Sequence, residues 1–169
     1  MWPYHPELLA TPVPRYTSYP TAADFDLLPS CHYRAELERT QGDVSLYLHI
    51  PFCEQICYYC GCNTGKANRR QRLDSYLAAL HTEIETVAAA LPQGVRVRRV
   101  AFGGGSPNAI RPDDFMRLVE TLNHHFDLTD PVYSIELDPR TMTAGFGGGV
   151  VGHLIRGGGI RVHGRIVGR

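Results

Sequence analysis

Hydrophobic and polar positions alternate in two short stretches of the chain. "VSLYLHI" (Val44–Ile50) and "VYSIEL" (Val132–Leu137) are rich in β-branched and aromatic residues, and this pattern predicts two β-strands. A third stretch, "GVRVRRVAF" (residues 94–102), has the same character and predicts another strand between them. The chain therefore carries three strand signals, spaced far enough apart to leave room for helices.

Helical spacing of apolar residues fills the two gaps between these strands. Between the first two strands, the spacing of apolar residues predicts a helix of about five turns. Its apolar face is formed by Leu73, Leu77, Leu80, Ile84 and Val87. The second gap predicts a helix starting at about Pro112, where proline suits the first turn, with Phe115, Leu118, Val119, Leu122 and Phe126 on one face. A further short helix is expected at about residues 33–40.

The order strand, helix, strand, helix, strand predicts an α/β fold with parallel strands joined by right-handed crossovers. Each unusual stretch falls where a predicted strand ends. A cysteine-rich loop follows the first strand, "GGGSP" (residues 103–107) follows the second, and "ELDP" ends the third. Because parallel α/β folds build their sites at the carboxyl ends of strands, the three stretches predict one site.

Composition narrows the class of partner. The 169 residues, 43% of them apolar, suit a globular domain. Seventeen basic and seventeen acidic residues cancel, which argues against nucleic acid or an anionic membrane as a partner. The N-terminus shows no signal-peptide pattern and no stretch approaches the ~18 apolar residues of a membrane span. We therefore expect a cytoplasmic protein, in which closely spaced cysteines bind metal or act in catalysis more often than they form disulfides.

Four of the five cysteines lie in residues 53–62, here called the cysteine loop. Cys53, Cys57 and Cys60 have the spacing C-x3-C-x2-C, and Cys62 follows two residues later. A structural zinc site prefers four ligands, commonly as two separated pairs. Buried unreactive thiols are another interpretation, although proline and glycine neighbours make a poor core. A third is a four-iron cluster held by three thiolates, which leaves one iron without a protein ligand.

A C-x3-C-x2-C loop after a strand, followed by a glycine-rich strand end and a later acidic strand, resembles the radical S-adenosyl-L-methionine (SAM) enzymes. This resemblance implies a (β/α) barrel and a [4Fe-4S] cluster whose open iron binds the amino and carboxylate groups of SAM. It also implies that an electron from the cluster cleaves SAM to a 5'-deoxyadenosyl radical, which abstracts hydrogen from the substrate. Such a cofactor carries the difficult chemistry, while the protein binds and orients it.

Four motifs in order resemble the oxygen-independent coproporphyrinogen III oxidase family, over roughly residues 10–143. They are "PRYTSYPTA", "YLHIPFCEQICYYCGCN", "AFGGGSPN" and "SIELDPR". The resemblance implies oxidative decarboxylation of two propionates of coproporphyrinogen III to vinyl groups, giving protoporphyrinogen IX in haem biosynthesis. It implies an electron donor of unknown identity and a monomer. The alternatives are a haem chaperone of the same superfamily and a zinc-binding structural module.

The family's site residues carry over position by position. The resemblance implies that the cluster is held by Cys53, Cys57 and Cys60. It implies that SAM contacts Tyr47, Tyr59, Gly104, Gly105, Ser106 and Glu136. Tyr59 stands where the family often has Phe, and Ser106 where Thr is usual. Cys62 is interpreted as a non-ligand, the histidines are left unassigned, and no catalytic residue is assigned.

Several of these residues have a plainer interpretation. A glycine run is more often a turn than a site, and an isolated glutamate on a strand is more often a solvated edge residue. The position of Glu136 at the end of a buried parallel strand favours function, because a carboxylate there needs a partner.

The segment after Thr143 differs from the rest of the chain. It contains ten glycines, four arginines and no acidic residue, and we expect it to be disordered or the product of a shifted reading frame. A genuine flexible Gly-rich tail is the alternative. The predicted organisation is an N-terminal arm with a short helix (1–43), an incomplete barrel domain (44–143) and this tail (144–169). A complete barrel needs about 250 residues, so we expect a truncated barrel of three βα units that is itself inactive.

Overall fold

The computed structural model describes residues 6, 24–27, 29–56, 60, 65–67, 70–157 and 159–164. The helices are α1 (Ser30–Glu38), α2 (Arg70–Ala90), α3 (Pro112–His125) and α4 (Gly152–Gly157). The strands are β1 (Val44–Ile50), β2 (Phe52–Cys53), β3 (Gly65–Lys66), β4 (Val97–Gly104), β5 (Val132–Leu137) and β6 (Gly159–Gly164). Short 3-10 turns span Pro107–Ala109 and Pro139–Thr141, and a π-helix spans Gly145–Val151.

Four strands form one parallel sheet in the order β1-β4-β5-β6. The register aligns Leu48 with Phe102 and Phe102 with Ile135, so the carboxyl ends of β1, β4 and β5 lie along one edge. The predicted α/β fold with parallel strands is confirmed. β2 and β3 form a separate parallel pair that the sequence pattern did not predict, because two-residue strands carry no periodicity.

The predicted helices cover one face of the sheet. The predicted apolar positions are buried except Val87 and Phe126, which are only partly buried. The buried positions meet side chains from alternate positions of the strands. The most deeply buried side chains include Ile50, Val97, Val100, Phe102, Phe115, Leu118, Leu122 and Ile135. This packing leaves the intervening strand positions, including Tyr47, His49 and Glu136, on the opposite face of the sheet.

The segment after Thr143 is more regular than the sequence suggested. Residues 145–157 and 159–164 form the π-helix, α4 and the fourth strand of the sheet, whereas the composition alone predicted disorder. Phe146, Val150 and Leu154 are each at most 1% exposed. Their four-residue spacing places them on one helical face, a signal hidden by the surrounding glycines. A shifted reading frame remains a prediction.

The chain divides into two units between Tyr33 and Arg34. The predicted boundaries lie instead at residues 43 and 143. The sheet and its covering helices all belong to the second unit, which also includes β6. Within the residues described, no helix is long and apolar enough to span a membrane.

Candidate cofactor-binding site

The cysteine loop starts at the carboxyl edge of the sheet. Cys53 ends β2, three residues after β1, and is held opposite Lys66 in the β2–β3 pair. Backbone hydrogen bonds from Gly65 N to the Pro51 carbonyl (2.7 Å) and from Ala67 N to the Cys53 carbonyl (3.0 Å) hold this pair together. The structure therefore places the first predicted ligand beside the ends of β1 and β4.

Two of the three predicted cluster ligands, Cys53 and Cys60, lie within the described residues. Cys53 and Cys60 are both partly exposed and neither forms a disulfide, and thiolates are the usual ligands of iron–sulfur clusters. Cys57, Tyr59 and Cys62 lie outside the described residues. Among those described, no three His, Cys, Asp or Glu side chains converge to hold a metal ion. A three-cysteine site therefore stays a prediction.

Tyr47 and Glu136 converge on Gly103 from the two neighbouring strands. A Cβ on Gly103 would lie 3.0 Å from the Tyr47 hydroxyl and 3.2 Å from Glu136 Oε2. Glycine therefore gives both polar groups room at the same point of the sheet edge. Tyr47 is 59% exposed and Glu136 is also exposed. The Glu136 carboxylate, which the sequence placed at the end of a buried strand, is thus open to solvent and accessible to a ligand.

His49 lies beside this pair, and the sequence motifs assign it no role. Its Nδ1 is 3.5 Å from the Tyr47 hydroxyl, and Tyr76 donates a hydrogen bond of 2.5 Å to its carbonyl. Its imidazole covers Gly104, whose φ is +103° and where a Cβ would lie 2.5 Å from His49 Nδ1. The available signal was its two-residue spacing from Tyr47 on one strand, which places both on one face.

Gly105 packs against the backbone that leads into the cysteine loop. Its N–H donates to the Ile50 carbonyl (2.8 Å), and the N–H of Ser106 donates to the Phe52 carbonyl (2.7 Å). A Cβ on Gly105 would lie 2.5 Å from the Phe52 carbonyl oxygen. The family resemblance implies that Gly104 and Gly105 contact SAM. In the structure, the room at Gly104 and Gly105 is taken by His49 and by this backbone.

Ser106 and Asn108 connect the end of β4 to the end of β5. The Ser106 hydroxyl donates to Asn108 Oδ1 (2.9 Å), and the backbone N–H of Asp138 donates to both side-chain oxygens at 3.1 Å. Asn108 Nδ2 returns a bond to the Asp138 carbonyl (2.9 Å). Ser106 and Asn108 are only 6% and 8% exposed. Ser106 thus holds the ends of β4 and β5 together, and its contact with SAM stays a prediction. The same structural role of Asn108 was not predicted from the sequence.

Two carboxylates near this edge have arginine partners. Arg140 donates to Asp138 through Nε (2.9 Å) and Nη2 (2.6 Å), and these bonds lower the pKa of Asp138. Asp114, in the first turn of α3, accepts from Arg111 Nε (2.8 Å) and from Arg70 Nη2 (2.9 Å). The bond from Arg111, followed by that from Arg70, lowers the pKa of Asp114. Arg70 begins α2, so Asp114 ties the segment after the cysteine loop to α3.

Curated relatives of the chain carry the name oxygen-independent coproporphyrinogen III oxidase. The protein from Mannheimia haemolytica is 40% identical over 129 residues, which cover 75% of this chain and 88% of that protein. Those from Pseudomonas aeruginosa and Bradyrhizobium diazoefficiens are 41% and 38% identical, but the matches cover only 29% and 30% of their lengths. The chain thus spans about 30% of these longer relatives.

A solved structure is also similar. It is the coproporphyrinogen III oxidase of Escherichia coli, described as a radical SAM enzyme, with a TM-score of 0.79 and 32% identity. The match covers 97% of this chain and 36% of that protein. No protein-family model matches the chain. On the strength of the relative from Mannheimia haemolytica, which the chain matches over most of both lengths, the chain belongs to the oxygen-independent coproporphyrinogen III oxidase family.

Proposed function

We propose that the chain forms the cluster-binding and SAM-binding part of an oxygen-independent coproporphyrinogen III oxidase. The proposed reaction converts two propionates of coproporphyrinogen III to vinyl groups and yields protoporphyrinogen IX in haem biosynthesis. The observation that carries the proposal is the convergence of Tyr47 and Glu136 on Gly103, next to the start of the cysteine loop. The names of the matched relatives support an oxidase over a haem chaperone or a zinc module.

In this proposal Cys53, Cys57 and Cys60 supply three thiolates and leave one metal position open for SAM. When bound, a [4Fe-4S] cluster and SAM supply the one-electron chemistry that starts hydrogen abstraction from a propionate. The Glu136 carboxylate accepts hydrogen bonds from the amino or hydroxyl groups of SAM, and the Tyr47 hydroxyl orients the same ligand. Because both groups are exposed in the chain alone, ligand binding must displace water from them before these bonds strengthen.

Tyr59, Gly104, Gly105 and Ser106 complete the proposed SAM contacts, through backbone groups or by holding the strand ends in place. We place the protein in the cytoplasm as a monomer that takes an electron from a separate donor. Because the chain spans about 30% of its longer relatives, we propose that this part binds the cofactors, and that decarboxylation also needs the remaining length of those relatives.

Anaerobic reconstitution with iron and sulfide, followed by EPR of the reduced chain, tests the proposal. We expect a four-iron signal that changes on addition of SAM. Cys53→Ala should abolish it, whereas Cys31→Ala, at an exposed cysteine on α1, should preserve it. One zinc per chain without iron, or a four-iron signal that does not respond to SAM, would contradict the proposal.

A further inference from the structure

A basic segment follows the cysteine loop. In "KANRRQR" (residues 66–72), four of seven residues are cationic and none is acidic, although the formal net charge of the chain is zero. Arg70 is engaged by Asp74 and Asp114. Lys66 and Arg72 are exposed and have no ion pair or hydrogen bond with another described residue. Two positive charges on this surface therefore lack counter-charges within the described part of the chain.

These cations lie beside the strand that carries Cys53. Lys66 pairs with Cys53 across the β2–β3 ladder. The Arg72 guanidinium lies over the neighbouring position of β3, because its Nη1 is 3.6 Å from where a Cβ of Gly65 would be. Paired strands are about 4.8 Å apart, so a group docked on Lys66 comes close to the first proposed cluster ligand.

An open cavity of about 580 Å³ adjoins the same segment. The residues that the structure describes in its lining are two arginines and two uncharged polar residues, with no carboxylate among them: Arg70, Gln71, Arg72 and Ser75. Leu73, between Arg72 and Ser75, is buried in the core, so the cavity lies on the outward side of α2. Because α2 covers the sheet face opposite to Tyr47 and Glu136, this position favours an external partner over the substrate.

We propose that the surface formed by Lys66, Arg70 and Arg72, here called the basic surface, docks the acidic face of an electron-transfer protein. The step is a one-electron transfer: the reduced donor is oxidised by one electron, the cluster is reduced by one, and no bond or proton moves. The inference rests on the proposed function, since an electron is needed only if the cysteine loop holds a cluster. Complementary charge accelerates encounter and selects the partner, and both effects weaken with salt.

Binding to an acidic probe tests the basic surface without the cluster. We suggest calorimetry of the cluster-free chain with a plant-type [2Fe–2S] ferredoxin of acidic surface at low salt. Lys66→Glu with Arg72→Glu should weaken Kd by about tenfold or more, and added salt should weaken wild-type binding. Arg99→Glu also reverses a positive charge, at an exposed position near the start of β4. This position is at the opposite end of the sheet from the cysteine loop, so the substitution should have little effect on binding.

The rate of cluster reduction connects this surface with electron delivery. In the reconstituted chain, the double reversal should slow reduction by ferredoxin about tenfold and leave reduction by dithionite, which needs no docking, unchanged. Lys66→Gln with Arg72→Gln should give a smaller loss, and circular dichroism checks that both variants fold.

Three results would count against these proposals in different ways. Equal binding and equal ferredoxin rates in wild-type and reversed chains, with a cluster present, would overturn the docking surface alone. Failure of the wild-type chain to assemble a cluster would contradict the proposed function and, with it, electron delivery. Binding of coproporphyrin that is lost in the double variant, without ferredoxin binding, would replace the protein partner by a small carboxylate ligand.

Discussion

The hydroxyl of Tyr47 and the carboxylate of Glu136 lie on either side of Gly103, 3.0 Å and 3.2 Å from the position of its missing Cβ. Neither residue is near the other in sequence. They meet because β1 and β5 both pair with β4 in parallel register. The missing side chain of Gly103 therefore lets both polar groups reach the candidate SAM site. The methyl group of an alanine at this position would displace them.

Gly103→Ala should weaken SAM binding by about tenfold or more with little loss of stability. The new Cβ meets the ends of two side chains, which can rotate away, so the fold survives while the Tyr47–Glu136 arrangement does not. Titration of the SAM-induced EPR change measures the effect. Gly148→Ala, where a Cβ meets nothing within 4 Å, is the matched control. An unchanged SAM affinity in Gly103→Ala would exclude this arrangement from SAM binding.

Gly105→Ala should instead destabilise the fold. The added Cβ would lie 2.5–2.7 Å from backbone atoms of Ile50 and Phe52. These atoms cannot move without breaking the hydrogen bonds that Gly105 and Ser106 donate to the Ile50 and Phe52 carbonyls. We expect a loss of about 2–4 kcal/mol in the free energy of unfolding. Urea denaturation beside Gly148→Ala measures it, and a loss no larger than that of the control would refute the close packing.

Asp114→Asn should reduce stability at neutral pH and flatten the acid limb of the stability profile. The pKa of Asp114 is lowered in the folded chain, chiefly by the hydrogen bond from Arg111, below its ordinary value of 3.8. Its stabilising contribution is therefore present above the unfolded pKa and is lost as pH falls through the folded pKa. We expect a loss of about 1–3 kcal/mol at pH 7.

The control for this prediction lies in the same turn of α3. Asp113 is exposed, so Asp113→Asn removes the same charge without breaking the contacts to Arg70 and Arg111. Denaturation of both variants between pH 2 and pH 7 separates the two cases, within the range where carboxylates titrate. Parallel pH profiles for wild type and Asp114→Asn would contradict the assigned ion pairs.

Phe146→Ala should cost about 3–5 kcal/mol, the usual range for a fully buried phenylalanine. Phe146 is 1% exposed, and its ring centroid lies 5.3 Å from that of Phe115 on α3. His153→Ala, at an exposed position of α4, should change stability little. Thermal unfolding of both variants tests whether the glycine-rich segment packs, because a disordered segment would make the two substitutions equally harmless.

The strong periodic signals predicted most of the fold. β1 and β5 occur at the predicted bounds, and most of the predicted apolar positions of α2 and α3 are buried. Val87 and Phe126 are the exceptions, because both are only partly buried. The β2–β3 pair was missed because two-residue strands exist only through contacts distant in sequence. The four-residue spacing of Phe146, Val150 and Leu154 was missed because glycines dominate the composition around it.

The sequence predicted which residues belong to the candidate site better than it predicted their arrangement in space. The motifs identified Tyr47, Glu136 and the glycines, but the sheet register decides which atoms meet. His49 and Asn108 have roles that only this register reveals, since their partners lie on other elements. Gly104 and Gly105 are implied as SAM contacts by the resemblance, and in the structure the space where their Cβ atoms would lie is filled by His49 and by backbone atoms.

The shared hydrogen bonds of the Asp138 N–H limit how the length of the turn after β4 can vary among members of this family. The Asp138 N–H donates to the side-chain oxygens of both Ser106 and Asn108. Both oxygens reach this N–H only if the number of residues between the end of β4 and Asn108 is unchanged. Inserting or deleting one residue there would leave buried polar groups without partners. Homologous proteins are therefore expected to exchange side chains in this turn, as Ser for Thr, far more readily than they change its length.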